Sequence, residues 1–221
     1  MKSHFIIITV LLLVCFGFAR AQPRYKGGDD DLAYFLKENI VYPEYSRQNC
    51  ISGIIQVSFN LDAAGKLHNV KVYKGMGIDL DDEAVRVIRL TSGKWIVPAD
   101  NDPNARLVIP INFSADQTRC HEIRSDIGAA IEAYKANEAL IAAVTNYYAN
   151  KYLGKADTTK ESQIIALKEQ LGFDDDYADR IMKQAKRKLK EGDKEGACED
   201  WLFVRNIGST KADVMLAKYC R

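Results

Sequence analysis

The stretch GIIQVSFNLDAAGKLHNVKVYK, residues 53–74, decides the fold. In its first half Ile55, Val57, Phe59 and Leu61 alternate with Gln56, Ser58 and Asn60. In its second half Val70 and Val72 alternate with polar neighbours, so each half is a strand with one buried face. Asp62-Ala63-Ala64-Gly65-Lys66 joins them, with Gly65 suited to the positive φ that short hairpin loops need. Downstream the spacing switches to a helical one over 80–90, through Leu80, Ala84, Val87, Ile88 and Val85. Asp79, Asp81, Asp82 and Glu83 crowd its first turn, where the helix dipole favours negative charge. A turn at Trp95-Ile96-Val97-Pro98 follows. The segment RLVIPINF, residues 106–113, then reads as a strand with Leu107, Ile109, Ile111 and Phe113 on one face and Pro110 on the other. Residues 42–113 contain no catalytic constellation, which places their function in the backbone edge they expose.

The first residues read as a targeting signal. Lys2 supplies positive charge, residues 5–18 are almost unbroken apolar sequence, and Ala19-Arg20-Ala21 offers a small-residue cleavage site before Gln22. The run is short against the roughly 20 residues of a membrane span. Retention as an anchor is the alternative. A lipoprotein is disfavoured, because Cys15 follows Val14 and not a small residue. The expected chain is thus exported to the periplasm and cleaved after Ala21; the alternative is an inner-membrane anchor facing the periplasm.

Export gives the cysteines their meaning. Of the five, Cys15 leaves with the signal, and Cys50, Cys120, Cys198 and Cys220 remain. An even number in an oxidising compartment argues for two disulfides, with three possible connectivities. There is no CxxC and no HxxxH, and His4, His68 and His121 are scattered, so neither metal nor cofactor is expected. The aspartate runs at 29–31 and 174–176 lack the ligand spacing of calcium loops. The formal net charge is +1, with 31 Lys and Arg against 30 Asp and Glu, and nothing suggests a nucleic-acid footprint.

Composition shifts near Ser114, from alternating β-branched residues to Ala, Glu, Lys, Leu and Tyr without proline. The second part reads as all helix. A long helix over 125–152 uses Ile127, Ile131, Tyr134, Leu140, Ile141, Val144 and Tyr148, and Gly154 ends it. Others cover 158–171 and 174–191, capped by Asp157 or Thr158 and by the 174–176 aspartates. Two further helices, 194–207 and 210–219, flank Gly208-Ser209 as an antiparallel hairpin. Cys198 lies about as far before that turn as Cys220 lies after it, so at a rise of about 1.5 Å per residue the two sit side by side. A Cys198–Cys220 bridge follows, and by subtraction Cys50–Cys120. Sheet topology agrees with the second pair. A right-handed crossover leaves room for the first strand between the other two, which brings its start, beside Cys50, near the end of the last strand.

In this order and spacing, Tyr42-Pro43, Gly53 opening the strand, the Gly65 turn, Trp95 with Pro98, and Pro110-Ile111-Asn112-Phe113 resemble the C-terminal domain of the TonB energy-transducer family, related in fold to TolA. The closing residues 192–201 resemble a Sel1 or short TPR-type helix pair. The resemblance implies an α+β fold class: a small TonB/TolA C-terminal-like domain, a three-stranded antiparallel sheet with helices, followed by an all-α domain. The expected division is a signal peptide at 1–21, a linker at 22–33, the sheet domain at 34–114 and helices at 115–221. It also implies that the last strand captures an extended segment of an outer-membrane receptor by strand addition. Pro110 independently argues for an edge, since proline cannot donate to a ladder. The expected partner contacts are Tyr42, Pro43, Arg106, Val108, Pro110 and Asn112, and Gly53, Gly65, Trp95 and Pro98 have structural roles.

Alternatives remain open on the residues themselves. Pro110 could simply blunt an edge that would otherwise aggregate. Tyr42-Pro43 could fix how the chain approaches the sheet. The expected function is a non-enzymatic, exported binding module for a protein or peptide partner, with a homodimer as a possible assembly. Membrane contact follows only if the signal is retained. The alternative is a membrane-anchored energy transducer, although only five prolines occur and none forms the long spacer a transducer needs. A remoter one is a hydrolase in the helical half, with Tyr147, Tyr148, His121 and glutamates converging.

Overall fold

The computed structural model describes residues 21–116, 120 and 126–220. The apolar run 5–18, His4, His121 and the expected helix start at Ser125 lie outside them.

The hairpin forms as its alternation dictates. Strand β2 (Gly53–Leu61) pairs antiparallel with β3 (Leu67–Lys74), and both pack on helix α3 (Asp79–Arg89). Ile55, Val57, Phe59 and Leu61 are fully buried, with Leu80, Ala84, Val87 and Ile88 of α3 in the same core. In the connecting loop the Asp62 carboxylate accepts hydrogen bonds from the backbone N–H of Ala64 and Lys66, at 2.9 and 2.8 Å. Gly65 has φ +74°, and a Cβ there would sit 2.5 Å from the Trp95 carbonyl oxygen. That position therefore needs glycine for both conformation and space.

The acidic first turn of α3 does more than complement a dipole. Asp79 accepts from the amide and hydroxyl of Ser46, on helix α2 (Glu44–Gln48). Asp81 accepts from the amides of Met76 and Gly77 at 2.9 and 2.8 Å. These bonds pin the helix start to the elements before it.

Strand β5 (Leu107–Phe113) pairs antiparallel with the other side of β2, giving the order β3-β2-β5. The crossover thus leaves β2 in the middle, as the connection through α3 requires. Two elements enlarge this unit. Strand β1 (Arg24–Tyr25) pairs with β4 (Trp95–Ile96), and helix α1 (Asp29–Asn39) follows it. Tyr25 packs edge-on to Trp95 at 5.7 Å, Trp95 lies 5.2 Å from Phe59, and the Trp95 indole donates to the Thr91 hydroxyl at 3.0 Å.

The expected linker over 22–33 is therefore corrected: Tyr25 and Leu32 belong to the core, and helix α1 carries on into the expected domain with Leu36 beside them. A two-residue strand carries no periodic signal, and three aspartates at the helix start disguise the Leu32–Leu36 spacing as a polar tether. The turn expected at Trp95 likewise contains a short strand. Pro98 keeps its turn role, its carbonyl accepting from Asn101 N–H at 3.1 Å.

The helical half comprises α4 (Ile127–Tyr152), a 3-10 turn (Thr158–Lys160), α5 (Glu161–Gln170), α6 (Asp175–Lys190), α7 (Lys194–Asn206) and α8 (Asp213–Tyr219). Asp126, Asp157, Asp174 and Asp193 each cap a helix start by accepting a backbone N–H two or three residues on. Its core surrounds Trp201, with Val144, Ala185, Ala197, Val204 and Ala212 fully buried. Ile127 and Leu140, expected on the packing face of α4, are instead exposed. The last helix begins at Asp213 and not 210, because residues 210–212 complete the turn. Gly208 opens that turn beside Tyr148, whose ring would lie 2.6 Å from an added Cβ.

Cys198 is bonded to Cys220 and Cys50 to Cys120. Helix α4 joins the two cores: Ala130, Ile131 and Tyr134 pack on the first, and Ile141, Val144 and Tyr148 on the second. Arg89 adds a bidentate ion pair across the seam to Glu199, both contacts at 2.8 Å. No helix among the described residues is long and apolar enough to cross a membrane.

Candidate docking edge

The register fixes which groups β5 presents. Phe113, Ile111, Ile109 and Leu107 stand opposite Gly53, Ile55, Val57 and Phe59, and Pro110 opposite Gln56. Ile111 and Phe113 are buried, whereas Val108, Pro110 and Asn112 are exposed. In an antiparallel pair each residue's N–H and C=O point to the same side, and successive residues alternate. Proline has no N–H to give the ladder, so Pro110 belongs to the outward set with Val108 and Asn112. That edge offers two N–H groups and three carbonyls, and among the described residues no backbone bond outside the β2 ladder covers them.

Helix α1 lies alongside β5 and runs the same way. Between them are two adjoining hollows. One, about 490 Å³, is lined by Ala33, Leu36, Lys37 and Ile40 of the helical stretch, by Tyr42, and by residues 110–114. The other, about 410 Å³, lies at the opposite end, against Arg24, Tyr25, Asp29 and Leu32 and residues 105–109. A fourth strand added to β5 would lie over both hollows.

Each expected contact residue has a definite place. Val108, Pro110 and Asn112 form the edge. Tyr42 stands at one end of it, its ring edge-on to Phe113 at 6.0 Å and its hydroxyl donating to the Ile51 carbonyl at 2.5 Å. It therefore fixes the approach of the chain to β2 while also walling a hollow; burial raises its pKa first, and Asp79 adds to this. Arg106 starts the edge, with its guanidinium 5.4 Å from the Tyr73 ring centre across the sheet. Pro43 starts α2 and lines neither hollow. Sequence reading missed the α1 wall, because that helix was split between linker and domain. The spacing Leu32, Leu36, Ile40 is the signal that marks it.

A second electrostatic feature lies at the seam. Asp82 of α3 sits at its solvent-facing rim, yet the surrounding helices exclude enough water to push its carboxyl up to about 6. Glu138 of α4, Asp81 and Glu199 of α7 add to the rise, and Lys188 of α6 opposes it. Glu138 is itself raised by burial.

Elsewhere, Tyr147 and Tyr148 pack edge-on to one another at 5.4 Å within the helical core region. Among the described residues no three His, Cys, Asp or Glu side chains gather as metal ligands.

The family model described as the Gram-negative bacterial TonB protein C-terminal matches residues 38–115. The solution structure of the Helicobacter pylori TonB C-terminal domain is 26% identical to the chain. That alignment covers 38% of this chain and 78% of that one, with a TM-score of 0.34. No curated protein matches.

Proposed function

We propose that this chain, whose residues 38–115 form a TonB C-terminal domain, is an exported envelope protein that docks an extended peptide segment by strand addition to β5. The observation that carries this reading is the unpaired outward set Val108, Pro110 and Asn112 above two apolar-walled hollows. An incoming strand gains main-chain hydrogen bonds from the edge, and its alternate side chains enter the hollows. The family match makes a periplasmic segment of an outer-membrane receptor the leading partner. Docking needs no bond making, so the activity is binding and not catalysis. On this reading the signal is cleaved after Ala21, the protein works in the periplasm, and the terminal Cys198–Cys220 hairpin is a Sel1 or TPR-like helix pair.

On this reading Pro110 does more than blunt the edge. It removes one donor but leaves the flanking pairs at Val108 and Asn112 open. Substituting either residue by proline removes a second donor from a side chain–exposed position outside the β2 ladder. Pull-down from envelope extract is expected to recover an outer-membrane receptor with the native chain. Val108→Pro and Asn112→Pro, with circular dichroism unchanged, are expected to lose it. Equal recovery by folded variants would remove β5 as the docking edge.

A further inference from the structure

We propose that the Cys198–Cys220 bridge is a reducible clasp: a dithiol opens it, frees helix α8 and uncovers Trp201, while the sheet unit keeps its fold. The bond lines two open hollows, of about 720 and 700 Å³. The first lies between α7 and α8, beside Leu202 and Leu216; the second lies at the seam, beside Leu67 and Arg89. Solvent thus reaches the bridge from both hollows. Cys50 and Cys120 line neither of them. Access to sulfur decides which bridge a dithiol attacks first.

What the clasp holds is lightly packed. Helix α8 has seven residues and none of them is buried. Met215, Leu216 and Tyr219 are its partly buried contacts with the helical core. Tyr219, next to Cys220, stacks on the fully buried Trp201 with ring centres 5.6 Å apart. A helix this short falls below the roughly 12 to 15 residues that an isolated helix needs in water. Just before it the chain is pinned: Ala212 is fully buried, and Lys211 pairs with Asp179 of α6 at 2.9 Å. Cutting the bridge therefore frees a terminal tail from Asp213 onward, which regains backbone entropy. Cys50–Cys120 ties the approach to β2 to the approach to α4, so its opening frees no chain end. The step is a thiol–disulfide exchange. One thiolate of the dithiol attacks a bridge sulfur, and the other sulfur leaves and takes the proton given up. The second thiol of the dithiol then breaks the mixed disulfide, so the chain gains two thiols and the dithiol becomes a disulfide. In an oxidising compartment the clasp rests closed, and its reductant is a protein dithiol of the CxxC type.

Limiting dithiothreitol on the full chain, followed by maleimide mass-tagging and hydrogen exchange, tests this. Cys198 and Cys220 are expected to take the tags while Cys50 and Cys120 are still bonded. Amides of 213–219 are expected to lose their protection and those around Trp201 part of theirs, with 53–61 unchanged. Reduced thioredoxin, as the dithiol protein, is expected to place the same tags. The Cys198→Ser/Cys220→Ser double variant is expected to show the same exchange pattern without any reductant. Opening of Cys50–Cys120 first, or together with the other bridge, would overturn the clasp. A reduced chain or double variant whose α8 stays protected, or whose β2 loses protection with α8, would make the bridge a passive staple and overturn it as well. Tags placed by dithiothreitol but not by thioredoxin would overturn the protein dithiol as its reductant.

Discussion

Asp82 shows what one residue at a seam can do. Its carboxyl ionises at about 6 in the folded chain, against about 3.9 for a free side chain. The folded state therefore holds the proton over a window in which the unfolded chain has released it. Across that window stability falls as pH rises, and the loss is complete above about 6. Asp82→Asn is expected to raise the urea midpoint at pH 7.5 and to change it little at pH 4. The gain is smaller than the shift alone implies, because water at the rim screens the charge. Chemical denaturation at the two pH values checks it; a midpoint lowered at pH 7.5 would mean the ionised carboxylate is favourably paired. Glu138 and Lys188, facing it from α4 and α6, are the partners whose substitution should change the window. None of this was legible in the sequence, where Asp82 reads as one of four acids in a helix start.

At the scale of elements, the hairpin, the crossover helix and the proline-bearing strand were legible because each has a clean period and one buried face. The cysteine bridge in the helical hairpin was legible because Cys198 and Cys220 lie about equally far on either side of a glycine turn. What escaped was short or disguised. Strands β1 and β4 are two residues each, and their pairing depends on Tyr25 and Trp95 meeting across 70 residues of chain. Of the candidate site, the strand side could be read from Pro110, whereas the helix side could not, because three aspartates mask the α1 stripe. Tyr25→Ala tests whether the region 22–33 is part of the fold. Loss of a buried aromatic ring is expected to cost about 3 kcal/mol, measured by urea unfolding. A change below about 0.5 kcal/mol is the surface-residue result and would return the segment to a tether.

Across the whole molecule, two cores share one long helix and a few polar contacts. Helix α4 gives Ala130 and Tyr134 to the sheet unit and Val144 to the helical unit, and Tyr45 donates to the Ala130 carbonyl at 2.6 Å. The Cys50–Cys120 bond closes a loop of 70 residues just before that helix, which restricts the unfolded chain by about 4 kcal/mol in the entropic account. The helical half therefore holds a defined position beside the sheet, near β3, while β5 stays open on the other side. Photocrosslinking in cells tests that asymmetry most directly, with a benzophenone side chain placed at position 108 or 112, at 73 on β3, or at 214 on α8. Docking at β5 predicts adducts with an outer-membrane protein from 108 and 112 and none from 73 or 214. Adducts from 73 or 214, with 108 and 112 silent, would contradict it.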